Sequence, residues 1–228
     1  MITHLNWDSH FFGFNVAKIE LPHDSADQSL GQYQLLYLIN NELQNIDFDG
    51  FDLSYTDNRY VFKKKVDSDR PNRHVIPVKT SLSKTDKIEE LYQLSFTSAH
   101  KSRFKCDPNF GEHVYMDIYR TWIDNTINLK IADGFFLAYH NAQISGMLTF
   151  KIIDDDCAKI GLIAVSPIVQ GKGVGKSLIS NLNDHAYKLG VKNIIVETQQ
   201  ENVVACEFYH KCGFKLDQSR TIQHFWKI

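Results

Sequence analysis

Apolar residues along the second part of the chain follow two different patterns. Steps of three and four residues predict amphipathic helices over 88–96, 115–127, 174–189 and 203–211. Short apolar runs between polar turns predict strands, which are 134–140, 143–153, 157–165, 193–198, 214–216 and 222–226. From about Leu82 onward the predicted order is therefore two helices, three strands, a glycine-rich loop with its helix, a strand, a helix and two strands.

The first eighty residues have a less regular pattern. Strands are predicted at 11–21, 51–55, 60–66 and 75–78, and the spacing of the apolar residues over 30–43 predicts a helix. The polar stretches 56–59 and 67–72 have the composition of turns. We place a domain boundary near Thr80, so that an N-terminal partial α/β domain spans 1–80 and a second domain spans 81–228.

The glycine-rich stretch 170–176 reads Gln-Gly-Lys-Gly-Val-Gly-Lys and lies between a predicted strand and a predicted helix. The first N–H groups of a helix have no partner within the helix, and the helix dipole favours an anion there. Glycine lets a phosphate approach the backbone closely, and Lys172 and Lys176 add positive charge. The stretch therefore predicts a pyrophosphate-binding loop.

Two kinds of phosphate-binding loop fit this stretch to different degrees. The P-loop of nucleotide triphosphatases has the form G-x-x-x-x-G-K-[ST], and Gly175-Lys176-Ser177 matches its end. Its first glycine would fall at position 170, where the chain has Gln170. The alternative form, Q/R-x-x-G-x-G/A, is matched without a gap by Gln170, Gly173 and Gly175.

A second motif follows about thirty residues later. Asn202, Ala205, Phe208, Tyr209 and the pair Gly213-Phe214 reproduce N-x-x-A-x-x-F-Y-x-x-x-G-F. Together the two motifs resemble the GNAT superfamily of acetyl-CoA-dependent N-acetyltransferases. The resemblance implies an α/β (α+β) fold with a mixed sheet, in which a complete GNAT unit follows a partial GNAT-like one, and it implies acetyl-CoA as the cosubstrate.

A narrower resemblance runs nearly end to end. The segments 7–13 (Trp-Asp-Ser-His-Phe-Phe-Gly) and 102–104 (Ser-Arg-Phe), with Tyr119, Trp122 and Ile123, are similar to the TDP-fucosamine acetyltransferase family. Those enzymes acetylate the amine of a nucleotide-linked amino-deoxy sugar that is used for surface polysaccharides. The resemblance implies a nucleotide-sugar acceptor, with Arg103 and Phe104 in the acceptor site, and it leaves a homodimer open.

By resemblance to GNAT enzymes, acetyl-CoA binds between two strands that separate and over the glycine loop. The implied cofactor-binding residues are Ile163, Ala164, Val165, Gln170, Gly171, Lys172, Gly173, Val174, Gly175, Lys176, Asn202, Ala205 and Tyr209. A backbone N–H of the strand would polarise the thioester carbonyl.

Several of these side chains also have a purely structural interpretation. Tyr209 stands where the family places the general acid for the departing thiolate, but it also fits as a packed helix residue. Asn202 either contacts CoA or caps its helix. Arg103 either binds a phosphate or lies at the surface. The base that deprotonates the acceptor is left unassigned among His100, His113 and Glu197, of which Glu197 lies nearest the predicted site.

Composition narrows the function further. The 228 residues are 43% hydrophobic and 23% charged with a net charge of −2, which favours neither nucleic acid nor an anionic membrane as partner. No apolar run has the length of a membrane span, and the first six residues lack a signal-peptide core. The four cysteines form no C-x-x-C pair, so we expect no metal site and a cytoplasmic location.

Three functions remain open at this stage. The first is an N-acetyltransferase for a nucleotide-linked amino sugar or, within the same class, for a protein N-terminus, an amino acid or an antibiotic. The second is a CoA-binding regulatory module without turnover, against which Tyr209 weighs. The third is a nucleotide triphosphatase, which the position of the first glycine disfavours.

Overall fold

A computed structural model describes residues 1–21, 28–68, 78–81, 87–111 and 113–228 of the chain. Within these residues ten strands form one mixed sheet and six α-helices cover it. The strands are β1 (Ile2–His4), β2 (Val16–Ile19), β3 (Leu35–Asn40), β4 (Phe51–Lys65), β5 (Val78–Ser81), β6 (Gly134–His140), β7 (Gln143–Asp154), β8 (Cys157–Val165), β9 (Asn193–Gln199) and β10 (Lys215–Lys227). The helices are α1 (Asn6–Phe12), α2 (Ile88–Ser98), α3 (Arg103–Cys106), α4 (Val114–Ile127), α5 (Val174–Lys188) and α6 (Val203–Lys211).

The sheet interleaves the two parts of the chain. Its strand order is β1-β2-β3-β10-β4-β9-β8-β7-β6-β5, so the last strand, β10, lies between β3 and β4. Only the pairs β2–β3 and β8–β9 are parallel among the described strands. The predicted mixed α/β fold is confirmed. The boundary at Thr80 stays a prediction, although one continuous sheet joins the residues before it to those after it.

Helices cover both faces of the sheet. Met147 and Leu148 are neighbours in β7 and therefore point to opposite faces. Leu148 packs in a cluster with Leu178 of α5, whereas Met147 packs with Leu91 of α2. The first face carries α5 and α6, and the second carries α2 and α4. Among the described residues, no helix combines the length and the hydropathy needed to cross a bilayer.

Two predictions for the first part of the chain are wrong. The predicted helix over 30–43 is a short 3-10 turn (Gln28–Gln32) followed by β3. Leu35, Leu36, Tyr37 and Leu38 are all buried, because an interior strand is covered on both faces, and an unbroken apolar run also contains helical spacings. The predicted strand over 11–21 is shorter, since α1 continues to Phe12 and β2 starts at Val16.

Polar residues inside two long strands were misinterpreted as breaks. The segments 51–55 and 60–66 belong to one strand, β4, and 214–216 and 222–226 belong to β10, whose register shifts between Leu216 and Gln218. The ladder of β4 continues because residues 56–59 stay paired with residues 220–223 of β10. Asp57 forms an ion pair with Arg59 within the strand. The other strands and helices of the second part lie within about two residues of their predicted bounds, with α3 as an addition. The predicted turn at 67–72 and the strand at 75–78 fall largely outside the described residues.

Candidate active site

The strands β8 and β9 separate in the middle of the sheet. They pair in parallel from Cys157 with Asn193 as far as Ile160 with Val196. Beyond that point β8 stays paired with β7 up to Val165, and β9 stays paired with β4. An opening therefore forms between the last residues of β8 and β9, and we call it the β8–β9 cleft.

A bulge marks the point where the cleft begins. Gly161 is an extra residue in β8, since Ile160 pairs with Phe150 and Leu162 already pairs with Thr149. The Thr149 hydroxyl accepts a hydrogen bond of 2.9 Å from the Leu162 N–H. A Cβ atom at Gly161 would lie 2.9 Å from that hydroxyl, so glycine permits the bulge. The bulge turns the end of β8 away from β9.

The glycine loop closes one end of this cleft. Gly171 and Gly173 have φ angles of 76° and 84°, in the left-handed region that favours glycine. A Cβ atom at Gly173 would meet nothing within 4 Å, so the backbone there is open to a ligand. The Gln170 side chain donates a hydrogen bond of 3.1 Å to the Val165 carbonyl, which fastens the loop to the end of β8. Lys172 and Lys176 are exposed beside it.

Gly175 has a different function from the other loop glycines. It lies in the first turn of α5, and a Cβ atom there would lie 2.9 Å from the Phe208 ring of α6. The residue therefore lets α5 and α6 touch. Val174 is buried in the same core. This contact sets the position of the start of α5, where free N–H groups point outward.

Helix α6 brings Tyr209 and Asn202 to the same face of the sheet. Asn202 accepts a hydrogen bond of 3.2 Å from the Ala205 N–H, so it caps α6. The Tyr209 ring packs against Phe62, and its side chain is only 4% exposed. Burial raises the pKa of the Tyr209 phenol. No hydrogen bond to its hydroxyl is found within the described part of the chain, and the phenol is therefore a protonated group free to donate.

Glu197 lies on the opposite face of the sheet from Tyr209. Its carboxylate contacts three cations, Lys159 at 2.7 Å, Arg220 at 3.5 Å and Arg59 at 3.7 Å. Burial acts to raise the pKa of Glu197, and these charges outweigh it, so the pKa is lowered overall. A carboxylate held in its ionised form by three cations is a weak proton acceptor.

Arg103 is fixed by a buried chain of polar groups. Its guanidinium lies between the rings of Tyr37 and Phe104, 4.2 and 4.4 Å from their centroids. Arg103 Nη1 lies 3.1 Å from His224 Nε2, and His224 Nδ1 lies 2.6 Å from an oxygen of Asp107. Arg103 and Phe104 are thus brought together, with Phe104 as a wall against the guanidinium.

The structure separates the predicted site residues into groups. The residues predicted to bind the cofactor, on the loop, β8 and α6, gather around the β8–β9 cleft, while Arg103, Phe104 and Glu197 lie on the other face of the sheet. His100 and His113 are exposed on the helical layer that includes α2 and α4. Within the described residues no cluster of His, Cys, Asp or Glu has the arrangement of a metal site.

Sequence reasoning missed three buried polar residues. Asp57, Asp107 and His224 are each at most 1% exposed. Asp57 stood in a stretch interpreted as a turn, and Asp107 in a stretch for which no helix or strand was predicted. A lone His or Asp has no spacing signal, so only its contacts in the fold distinguish it from a surface residue.

The fold, the cleft and the loop are those of an acyl-group transferase. The sequence pattern of the acetyltransferase (GNAT) family matches residues 87–214, more than half of the chain. The chain therefore belongs to the GNAT family of acetyltransferases.

The chain is also similar to individual proteins. The dTDP-fucosamine acetyltransferase of Escherichia coli O6:H1 (strain CFT073) is 24% identical over 227 residues, 96% of this chain and 95% of that protein. The spore coat polysaccharide biosynthesis protein SpsD of Bacillus subtilis (strain 168) is 32% identical over 142 residues, 62% of this chain. The matched region spans only 47% of the length of SpsD.

Solved structures share the fold at low sequence identity. A conserved protein of unknown function from Staphylococcus epidermidis superposes with a TM-score of 0.62 at 14% identity, over 94% of this chain and 85% of that one. The PaiA N-acetyltransferase of Thermoplasma acidophilum, solved in complex with coenzyme A, superposes with a TM-score of 0.51 at 20% identity, over 67% of this chain and 100% of that one.

Proposed function

We propose that the protein is an acetyl-CoA-dependent N-acetyltransferase that acts on the amine of a nucleotide-linked amino-deoxy sugar for surface polysaccharide synthesis. The observation that carries the first part is the β8–β9 cleft ending at the glycine loop. The acceptor class rests on two relatives that span much of the chain, one named for dTDP-fucosamine and one for a spore coat polysaccharide.

The cofactor would lie in the cleft with its pyrophosphate on the loop. The open backbone at Gly173 and the first N–H groups of α5 fit a diphosphate, since both would otherwise face solvent. The strand residues Ile163, Ala164 and Val165 would offer backbone groups to the pantetheine amides in the manner of an added strand. Acetyl-CoA supplies a thioester whose acetyl carbon is open to attack by an amine.

A lysine-rich groove beside α5 supports a cofactor whose adenosine end lies next to this helix. Lys176 lines a groove of about 910 Å³ together with five other lysines, against two aspartates, Asp67 and Asp217. These other lysines are Lys63, Lys64, Lys65, Lys211 and Lys215. The excess of positive charge suits the phosphates of the adenosine end of CoA.

The transfer would proceed directly from thioester to amine. The acceptor nitrogen attacks the acetyl carbon, the C–S bond breaks, the amine loses a proton and the sulfur gains one. A backbone N–H of β8 would stabilise the oxyanion, and Tyr209 would donate a hydrogen bond or its proton to the sulfur. A phenol has an ordinary pKa near 10 and a thiol one near 8.5, so the hydrogen bond is the larger contribution.

The acceptor would bind on the face of the sheet that carries Arg103. A guanidinium held between two rings presents its remaining N–H groups in a fixed orientation, and a phosphate accepts two of them at once. Phe104 would then act as a wall of this site, and Glu197 would orient the cationic side chains of Arg59, Lys159 and Arg220.

An acceptor screen tests the proposal. The protein is mixed with acetyl-CoA and a panel of TDP- and UDP-linked amino sugars, amino acids and a peptide with a free N-terminus, and free thiol is recorded. We expect turnover with a nucleotide-linked amino sugar and none with the corresponding hydroxy sugar. Turnover confined to amino acids or peptides would contradict the acceptor class, and CoA binding without any turnover would favour a regulatory module.

A further inference from the structure

Asp57 is a buried carboxylate with one oxygen unused. The residue is 1% exposed, and its Oδ2 accepts a hydrogen bond of 2.6 Å from Arg59 Nε. Its Oδ1 is buried and has no hydrogen-bond partner among the described residues. Burying a charged oxygen without a partner costs free energy, and folded proteins rarely leave such an atom unsatisfied. An N–H or O–H donor of a ligand would satisfy this oxygen.

The position of Asp57 in the sheet places it at the cleft. The last residue pair between β4 and β9 is Arg59 with Gln199, and the Gln200 N–H still donates to the Asn58 carbonyl at 2.8 Å. Asp57 is the next residue of β4, at the point where β9 has ended. The end of β8 lies on the other side of the same gap. Asp57 and β8 therefore border the opening from opposite sides.

Asp57 also points to the face on which the acceptor is proposed to bind. Arg59 lies two residues further along the strand and thus on the same face, where its guanidinium contacts Glu197. Burial has the largest effect on the pKa of Tyr55, Tyr119 and His224, and the charge of Asp57 acts in addition to raise the pKa of each. These three side chains therefore lie near Asp57.

The charges around the two carboxylates of this region are unequal. Glu197 contacts three cations, whereas Asp57 contacts only one among the described residues, Arg59. An incoming amine would find Glu197 already neutralised and Asp57 with a free oxygen. The geometry thus favours Asp57 over Glu197 as the group that meets the substrate nitrogen.

We propose that Asp57 Oδ1 binds the acceptor amine and directs it toward the thioester. The inference rests on the proposed function only in that the acceptor carries an amine, and it applies to any amine that the protein acetylates. An N–H of the amine donates to Oδ1, and the nitrogen is thereby held at the border of the β8–β9 cleft. Asp57 is a catalytic residue in this account because it touches the reacting nitrogen.

Replacing Asp57 by asparagine tests the contact with little change of shape. The remaining amide oxygen of Asn can accept from Arg59 Nε, so the variant is expected to fold. Its NH2 group then occupies the position of Oδ1, where a donor would face the donors of the substrate amine. Asp52→Asn, at an exposed carboxylate on the same strand, is the matched control.

The readout is the preference for an amine over a hydroxyl. Dissociation constants are measured by calorimetry in the presence of CoA for the best acceptor of the screen and for its analogue with hydroxyl in place of amine. We expect Asp57→Asn to weaken binding of the amine by about 10- to 100-fold and of the analogue far less. The CoA affinity of Asp57→Asn should equal that of the wild type. The Asp52→Asn variant should bind the amine and its analogue as the wild type does. An unchanged preference in Asp57→Asn would overturn the proposal.

Failure of the proposed function would look different. If amino acids or peptides are the substrates and Asp57→Asn still abolishes the preference, the nucleotide-sugar assignment falls and the role of Asp57 stands. If nucleotide sugars are acetylated by Asp57→Asn as by the wild type, the nucleotide-sugar assignment stands and the role of Asp57 falls. Should the variant unfold, a crystal structure of the wild type with CoA and acceptor decides, since a nitrogen beyond hydrogen-bond distance of Asp57 refutes the contact.

Discussion

His224 Nδ1 and Asp107 Oδ2 lie 2.6 Å apart in the interior, and neither side chain has exposed surface. A carboxylate only accepts hydrogen bonds, so Nδ1 carries the hydrogen and Nε2 is left as an acceptor. Arg103 Nη1 donates to that nitrogen at 3.1 Å. The orientation of a half-buried guanidinium is thus fixed by a residue more than a hundred positions away in the chain.

Removal of the His224 contact to Arg103, or of the Arg103 guanidinium itself, should weaken binding of the acceptor. In His224→Phe the ring still fills its space but accepts nothing from Arg103, and in Arg103→Ala the guanidinium is gone. We expect both changes to raise the acceptor Michaelis constant, by roughly tenfold or more for Arg103→Ala, with CoA affinity unchanged.

The double variant separates positioning from general damage. If His224 acts through Arg103, His224→Phe adds little once Arg103 is alanine, since the anchored group is already absent. Additive losses would mean that the two residues act independently. His224→Gln keeps an acceptor near Nε2 and should restore much of the affinity.

The free energy of unfolding should decrease as the pH is lowered, because His224 is buried in its neutral form. Burial, together with the charge of Arg103, lowers the pKa of His224 to about 4 despite the hydrogen bond to Asp107. Above about pH 6.5 the residue is neutral in both the folded and the unfolded chain. Between pH 6.5 and 4 the unfolded chain binds a proton that the folded chain excludes, so the free energy of unfolding decreases. From pH 7.5 to 5 the loss is about 2 kcal/mol.

Urea unfolding at several pH values measures this loss. The His224→Gln variant is the reference for the range from pH 7.5 to 5. Burial acts to raise the pKa of Asp107, but hydrogen bonds that include the one from His224 lower it to about 2, so Asp107 titrates below this range. The difference between the two curves should therefore contain the contribution of His224. Parallel curves for the two proteins would show that His224 is not buried in its neutral form.

Tyr209→Phe should reduce turnover and preserve CoA binding. The change removes the hydroxyl and keeps the ring that packs against Phe62 and Phe214. If the hydroxyl stabilises the leaving thiolate, single-turnover acetyl transfer should slow by about a hundredfold, or roughly 3 kcal/mol of barrier. A decrease of less than about threefold, at matched unfolding temperatures, would assign Tyr209 to packing alone.

Gly173→Ala should weaken CoA binding beyond its effect on stability. A methyl group there meets no protein atom within 4 Å, so it would occupy the space of the phosphate instead. Its positive φ adds a backbone cost of about 1 kcal/mol. Gly190→Ala is the control. Gly190 follows α5 with a φ of 78° and equally open surroundings, so its substitution has the same backbone cost but lies far from the loop. Equal CoA affinity in the two variants would mean that the loop does not hold the pyrophosphate.

Sequence patterns predicted the elements around the β8–β9 cleft better than the elements around Arg103. The helices α5 and α6 have apolar stripes, and a glycine or asparagine stands at their ends, so local rules suffice. The strand β3 is buried on both faces, and its apolar run matched a helix by accident. Asp57 in β4 looked like a turn because its partner Arg59 is polar too.

The surroundings of Arg103 depend on contacts that join distant residues. Asp107 and His224 are 117 positions apart, and β10 brings them together by entering between β3 and β4. The spacing of nearby residues in the sequence cannot predict a contact between two such distant positions. The resemblance to amino-sugar acetyltransferases pointed to Arg103 but not to the residues that hold it.

The place of β10 also has a consequence for how the protein is made. Both neighbours of β10 are synthesised first, and each presents an unpaired edge until residues 215–227 have left the ribosome. Pairing across such long stretches of chain is slow, and open edges invite association with other chains. We therefore expect nascent chains that stop before β10 to aggregate, and pairing of β10 with β3 and β4 to be the step that commits the whole sheet to its native form.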